Sequence, residues 1–547
     1  MALNTPALIA AIVFFILTLA IGVWSAWKTK KDEKKSNQIE LAIVGSRRMS
    51  MLLGLFTTTA TWIGGAYING TAEITYLPRG GLAWVQAPVG FTLGLSIAAI
   101  FFVKPMRSKN YMTMMDPLQE AYGNTMAGLL FLPSLIGDVF WFAAILASLG
   151  ATMSVILDVQ SDLAIIISAV IVLIYTLLGG LYSVAYTDVI QLLFIIFGLW
   201  MCVPFALINT ASESITKTAI KEFYQDPWIG RIETDYLGKW LDDIIYLSLG
   251  SIPWQIYFQR VLSASTTTKA KIASSVSAFA CIFMAVPSVL FGAVAASTDW
   301  NQTSYGLPTP FERGEANLIL PIVLQYLCPT YVSIAGLGAI VAAVMSSADS
   351  SLLSASSLFA YNIYKKILRK KASEKEIMLM MRFSMVAFCS AAAGLAFLSH
   401  SVYDLWFLSG ELVYALLFPQ LCCVLFIPNT NTYGSIASFL CGLILRLLGG
   451  VNALKIPPVI CYPGCRLVDG VYVQLFPFKT FTMLMALATQ VVVSYLIAFL
   501  FKNNIVPINW DICNVMKDKN CSTPLPEVEP EGLQLNALSM NSNESDD

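Results

Sequence analysis

The chain has 547 residues, of which 57% are hydrophobic and only 12% are Asp, Glu, Lys or Arg, and its formal net charge is -1. With a mean hydropathy of +0.69 and about half the charge density usual for soluble proteins, it cannot be a water-dissolved globule. Its charges are scattered and build no basic face, which excludes nucleic-acid binding as the basis of its function.

Apolar blocks of roughly 20 residues follow one another along the chain, each about long enough to cross a hydrocarbon core as a helix. The first, near residues 7–27, has no Lys or Arg before it and is followed by Lys28, Lys30, Lys31, Lys34 and Lys35. A positive flank stays in the cytoplasm, so the amino terminus is expected outside. Further spans follow and a small-residue cleavage site is absent, so the block reads as an anchor rather than a removed signal peptide. The remaining blocks centre near residues 50–76, 82–103, 126–153, 160–179, 184–208, 240–260, 272–297, 330–364, 376–399, 402–427, 432–449 and 479–501. These make about thirteen predicted spans of an all-α polytopic membrane protein occupying residues 1–502.

Alternate crossings put Lys104, Arg107, Lys109, Lys269, Lys271, Lys365, Lys366, Arg369, Lys370 and Lys371 inside, together with the carboxyl terminus. The tail, residues 503–547, is polar, carries Pro524, Pro526 and Pro530 among acidic residues, and is expected to be disordered. Asn301, in Asn301-Gln302-Thr303, falls in an external loop and is the expected glycosylation site. Asn69-Gly70-Thr71 is inside a span, and Asn520-Cys521-Ser522 and Asn543-Glu544-Ser545 are on the inner tail, so these three are discounted.

Most of the eleven cysteines sit in apolar spans as small hydrophobes. Cys461 and Cys465 instead flank Tyr-Pro-Gly in an external, oxidising loop, where a disulfide and two free thiols are both compatible with the spacing. The single histidine, His400, provides no metal cluster and no Ser-His-Asp triad, an argument against an enzyme.

The second predicted span contains Thr61-Trp62-Ile63-Gly64-Gly65-Ala66-Tyr67-Ile68-Asn69-Gly70, three glycines and several polar groups at membrane depth. Freed carbonyls survive there only if protein, water or a ligand satisfies them, which suggests a broken helix lining a site. Close helix packing through small residues is the alternative.

The run Gly179-Gly180-Leu181-Tyr182-Ser183-Val184-Ala185-Tyr186-Thr187-Asp188, followed by Gln191, resembles the signature of the sodium/solute symporter family, as does Ala342-Ala343-Val344-Met345-Ser346-Ser347. Within that family, Thr59-Ala60-Thr61-Trp62, Tyr67 to Glu73, Ile252-Pro253-Trp254-Gln255, Tyr257-Phe258-Gln259-Arg260 and Ser346 to Ser351 resemble its choline-transporting members. The likeness runs from about residue 7 to about residue 501. It implies a leucine-transporter-like core of two inverted five-helix repeats, about residues 50–208 and 240–427, with the substrate beside the unwound parts of the second and seventh spans. It also implies sodium-coupled, chloride-dependent uptake of choline across the plasma membrane.

A quaternary ammonium has no N–H to donate and a diffuse charge, so aromatic faces suit it better than one close carboxylate. Trp62, Trp141 and Trp254 are the expected walls, with Phe91 as a fourth where the resembling transporters carry tyrosine. Three walls at ~1–2 kcal/mol each supply ~3–6 kcal/mol of cation-π attraction, against the ~8 kcal/mol of micromolar binding. For sodium, the resemblance implies the carbonyls of Ala60, Ile63 and Ala343 and the hydroxyls of Ser346 and Ser347. Asp349 lies on the Ser346 face and reads as a second cation ligand or gate charge. Asp138, three residues before Trp141, receives the same reading, and a structural partnership with backbone or an arginine is open for both acids. No motif locates chloride.

Two other readings share the scaffold: uptake of a different small cation or organic solute, and a non-transporting sensor or channel.

Overall fold

The computed structural model describes residues 5–30, 38–157, 159–177, 180–397, 402–451, 456–468 and 470–513. Lys31, Lys34, Lys35, Gly179, His400, Asn520, Pro524, Pro526, Pro530 and Asn543 lie outside the described residues.

Helices α1 (Thr5–Lys30) and α2 (Gln38–Val44) lead to α3 (Met51–Trp62) and α4 (Gly65–Tyr76). Helix α5 (Ala87–Ile97) runs through a π-helical turn into α6 (Val103–Ser108), and α7 (Asp116–Leu157), α8 (Ser161–Leu177) and α9 (Leu181–Leu207) follow. A loop carrying α10 (Ile215–Thr218) leads to α11 (Leu237–Gly250), α12 (Gln255–Ser263) and α13 (Thr267–Ala296). Then come α14 (Ile319–Leu327), α15 (Thr330–Leu358), α16 (Glu374–Ala396), α17 (Val402–Leu412), α18 (Phe418–Phe426), α19 (Thr432–Leu448) and α20 (Phe478–Lys502). Between the last two, β1 (Arg466–Val468) and β2 (Val471–Val473) pair as an antiparallel hairpin. The chain forms one compact unit of residues 1–496 and a short second unit of residues 497–547.

Among the described residues, nine helices are long and apolar enough to cross a membrane, and the pair α3–α4, bent by 44°, is a tenth. The predicted spans near 160–179, 240–260 and 432–449 correspond to α8, to α11 with α12, and to α19, which fall short of that requirement. Helices α11 and α12 are short, 14 and 9 residues, and they are also polar: Asp242, Asp243, Gln255, Gln259 and Arg260 are all buried. Such groups are kept out of lipid and held against protein.

Both breaks are local and explicable. Helix α3 ends at Trp62, Ile63 leaves helical geometry (φ -91°, ψ 61°), and Gly64 is extended before α4 begins. Glycine is needed at this point for close approach rather than for an unusual φ: a Cβ on Gly65 would lie 2.0 Å from Val344 Cγ2 of α15. The span is therefore broken and tightly packed at once. The other break spans Ser251, Ile252 and Pro253, and Trp254 is the extended residue that starts α12. Helix α15 packs along α9 and against α3, α4, α7 and α12, while α17 packs on α4 and α7. The two breaks thus share one core.

A buried ionic cluster ties α11 to elements late in the chain. The backbone N–H groups of Lys479 and Thr480 donate to Asp242 at 3.0 and 2.7 Å. Lys479 Nζ lies 2.9 Å from Asp243 Oδ1 and 2.7 Å from Glu411 Oε1, and Arg446 pairs with Glu411. These charges line a wide cavity of about 1430 Å³ together with Trp84, Tyr236 and Phe407.

Asn301 is exposed in a short helical turn after α13, whereas Asn69 is buried and donates to Ser148 Oγ at 2.5 Å. The sulfurs of Cys461 and Cys465 lie 2.7 Å apart.

Candidate substrate and ion site

Five aromatic rings from five spans meet at the breaks. Trp62 closes α3 and Trp254 opens α12, because each is the residue at which a helix stops or starts. Phe91 comes from α5, Trp141 from the middle of α7, and Trp406 from α17. Ring centroids are 4.8 Å apart for Trp62 and Phe91, 6.5 Å for Trp62 and Trp141, and 5.9 Å for Trp141 and Trp254. Trp406 stands 5.4 Å from Phe91 and 6.2 Å from Trp141, and Tyr67 stacks behind Phe91 at 6.2 Å. All five line one cavity with Thr61, Tyr246, Ser251 and Ser409. The four rings expected from the sequence lie together, and the structure adds Trp406.

Trp406 had a legible signal, a tryptophan inside an apolar span. Its surroundings, Leu405, Phe407 and Leu408, hid it as ordinary core.

The cavity's hydroxyl protons are directed to protein acceptors. Ser251 donates to Ser248 O at 2.8 Å, Ser409 to Trp406 O at 2.6 Å, Thr61 to Thr57 O at 2.7 Å, and Tyr246 to Phe407 O. Trp254 Nε1 donates to Gly250 O at 2.7 Å, which clamps its ring across the break. What is left is a box of π-faces beside lone pairs, chemistry that holds a diffuse cation.

Next to the box, α3 and α15 bring oxygens together. Ser346 Oγ donates to Ala60 O at 3.1 Å and to Ala343 O at 3.0 Å. Ser347 Oγ donates to Ala343 O at 3.2 Å and to Thr61 O at 3.3 Å. Ala60, Ala343, Ser346 and Ser347 are therefore neighbours, and Ile63 follows Trp62 in the break at 0% exposure. Neutral carbonyl and hydroxyl oxygens of this kind suit a small hard cation, with each hydroxyl turning a lone pair inward.

Asp349 is fully buried one turn beyond Ser346, within electrostatic reach of Arg260, which also faces Asp188. Arg260 donates to Ser350 Oγ, to Ile256 O at 3.2 Å and to Gln259 Oε1 at 3.3 Å, while Asp188 accepts from Thr57 Oγ1. Asp349 thus has an arginine neighbour, one of the two roles open to it. The cluster of Arg260 and Asp188 carries no role in the sequence reading, although both residues lie in the motifs quoted there. Asp138 is buried, and its Oδ2 has no donor among the described residues. No group of three or more His, Cys, Asp or Glu side chains able to hold a metal ion occurs among the described residues.

Comparison with known proteins follows the same lines. Residues 43–442 match the model of the sodium:solute symporter family. The chain is 51% identical to the high affinity choline transporter 1 of Homo sapiens, over 99% of this chain and 94% of that one. It is 46% identical to the high-affinity choline transporter 1 of Drosophila melanogaster, over 94% of this chain and 83% of that one. Among solved structures, a Na+-coupled sialic acid symporter aligns with a TM-score of 0.68 at 15% identity, covering 90% of this chain and 97% of that one. That likeness shows the fold, a leucine-transporter-like helical core.

Proposed function

We propose that this chain, which belongs to the sodium:solute symporter family, is a multi-pass plasma-membrane transporter that carries choline into the cell together with sodium. The observation that carries this reading is the convergence of Trp62, Phe91, Trp141, Trp254 and Trp406 at the two helix breaks, beside the oxygens of Ala60, Ala343, Ser346 and Ser347. A trimethylammonium group held by π-faces needs no carboxylate partner, and among the described residues none lines this cavity. The names of the relatives, choline transporters over nearly their whole length, agree with that chemistry.

The finer parts of the proposal are these. The amino terminus faces outward and the carboxyl tail inward, as the Lys and Arg distribution directs. Substrate and sodium are both cations, and each gains ~2.3 kcal/mol in crossing a 100 mV potential. Inward flux is driven by the membrane potential as well as by the sodium gradient. Chloride dependence is carried over from the resemblance alone. The test is uptake of radiolabelled choline by cells expressing the chain, with sodium present and replaced by an inert cation. Saturable uptake only with sodium is the expected result, and uptake indifferent to sodium would sink the reading.

Phe91 favours a second reading, in which the preferred cargo is a less polar cation, because it presents a ring with no hydroxyl. Competition of the labelled substrate by choline separates the two.

A further inference from the structure

The loop between α19 and α20 carries two cysteines that no part of the proposed transport cycle uses. Cys461 and Cys465 flank Tyr462-Pro463-Gly464, and Cys465 N–H donates to Tyr462 O at 3.0 Å, closing a tight turn with Gly464 at φ 84°. Pro and Gly at the two central positions suit such a turn. The sulfurs lie 2.7 Å apart, Cys461 exposed and Cys465 half-buried, so a bond between them needs no refolding of the chain. The turn is seated on the start of α20. Tyr462 stacks on Phe476 and Phe478 with ring centroids at 5.6 and 6.0 Å and meets Phe481 edge-on at 5.9 Å. Gln474 accepts from Tyr462 N–H at 3.2 Å and donates to Ile460 O at 2.8 Å. Gln474, Phe478 and Lys479 line the wide cavity, and Lys479 is the cation that joins Asp243 to Glu411.

We infer that Cys461 and Cys465 form a disulfide in the mature protein, and that this bond fixes the turn whose Tyr462 seats the first residues of α20, and with them Lys479. The bond rests on the outward orientation proposed above, because structural disulfides persist where the surroundings are oxidising. The two thiols give up two protons and two electrons, and the acceptor is an external disulfide, RSSR. The Cys461 thiolate attacks one sulfur of RSSR and expels a first thiolate. The Cys465 thiolate then attacks the Cys461 sulfur of the mixed disulfide and expels the second, so that RSSR leaves as two RSH. Cys461 is the first nucleophile by exposure, while burial and the contact with Cys461 push the Cys465 thiol up to about 11. The closed ring of five residues then holds Tyr462 in the turn that faces Phe476, Phe478 and Phe481. Once the bond is cut, that seat depends on hydrogen bonds and ring contacts alone.

The experiment collects surface protein from intact cells expressing the full-length chain, denatures it, alkylates it without reduction and digests it with trypsin. The peptide Ile456–Arg466 should appear unalkylated and lighter than its dithiol form by two hydrogen atoms, and it should take two alkyl groups only after reduction. Two alkyl groups without prior reduction overturn the inference. An impermeant maleimide, given to intact cells after an impermeant phosphine, should label the same peptide; labelling only in permeabilised cells overturns the orientation together with the bond. The role of the bond is read separately. The phosphine should lower sodium-dependent choline uptake by the unaltered chain about twofold or more, the scale of one lost hydrogen bond. Cys461→Ser combined with Cys465→Ser should match the reduced chain and be indifferent to the phosphine. Uptake unaffected by reduction, or lowered as much in the double variant, overturns the link to Lys479. Absence of choline uptake by the unaltered chain overturns the proposed function, and the peptide mass still decides the bond. Should the double variant fail to reach the surface, reduction of the unaltered chain still decides its role.

Discussion

Gly64 faces Ser347 so closely that a Cβ on the glycine would lie 1.8 Å from the serine Oγ. The break that presents Trp62 to the cavity and the helix that presents the candidate ion-binding hydroxyls are therefore in direct contact. Neither can move far without the other. Gly64→Ala should destabilise the protein by ~1–3 kcal/mol through overpacking. Removing the opposing side chain with Ser347→Gly in the same molecule should recover part of that loss. Melting temperatures in detergent for both single variants and the double variant measure the coupling, expected at ~0.5–3 kcal/mol. Purely additive losses would mean that the contact carries no energy.

The aromatic box makes a quantitative demand. Trp62→Leu keeps bulk and loses the cation-π contribution, costing ~1–2 kcal/mol, or roughly five- to thirtyfold in apparent choline affinity. Trp406→Leu should cost a similar amount, since its ring stands 5.4 Å from Phe91 and 6.2 Å from Trp141. Uptake kinetics, normalised to protein at the cell surface, give both values. An affinity untouched by either change removes the box from the mechanism.

Phe91 tests the cargo. If choline is the preferred substrate, Phe91→Tyr adds a hydroxyl beside Trp62 and should tighten choline binding by a few-fold, about what one net hydrogen bond contributes. The opposite result, weaker uptake of the native substrate at an unchanged surface level, would mean that the pocket is tuned to something less polar.

For the ion, Ser346→Ala combined with Ser347→Ala removes two oxygens from a cluster that also contains Ala60 O and Ala343 O. The sodium concentration giving half-maximal uptake should rise about tenfold or more, on the scale of one lost charge-assisted contact. An unchanged sodium dependence in protein that reaches the surface would rule this site out.

Topology is checked by two labels. Asn301, exposed after α13, should carry a glycan that a glycosidase removes and Asn301→Gln abolishes. A tag at the carboxyl terminus should stain only permeabilised cells; staining of intact cells would invert the charge map behind every orientation given above.

The sequence exposed the helix break at Gly64 because glycines and polar side chains at membrane depth conflict with a lipid-facing helix. A mid-span tryptophan is out of place in a lipid-facing helix, which marks Trp62 and Trp254, but it was the resemblance to the choline-transporting members of the family that named Trp62, Trp141 and Trp254 as walls. Trp406 met the same criterion but sits among Leu405, Phe407 and Leu408, where nothing local separates a pocket wall from packing. The approach of Arg260 to Asp188 and Asp349 could not be read at all, because residues far apart in the chain become neighbours only when α9, α12 and α15 pack together. Spans near 240–260 and 432–449 were placed correctly as helical; the first holds buried polar side chains, and the second is an apolar helix of 17 residues. The β1–β2 hairpin lies in a stretch for which no element was expected, and its strands are three residues each, too short for alternation to register.

Lys479 has one ammonium and two carboxylate partners on different helices, Asp243 on α11 and Glu411 on α17. The first helix runs toward Trp254 and the second carries Trp406, so the same cation clasps the supports of two walls of the box. Parting those supports must sever one of the two ion pairs; the carboxylate that loses Lys479 keeps a second cation, Lys239 beside Asp243 or Arg446 beside Glu411, and the separated charges take up water. The wide cavity that these charges line is where that water can enter. Solvent activity thereby becomes a reactant in the wall movement, and osmotic stress applied with a solute too large to enter should hold the two walls together.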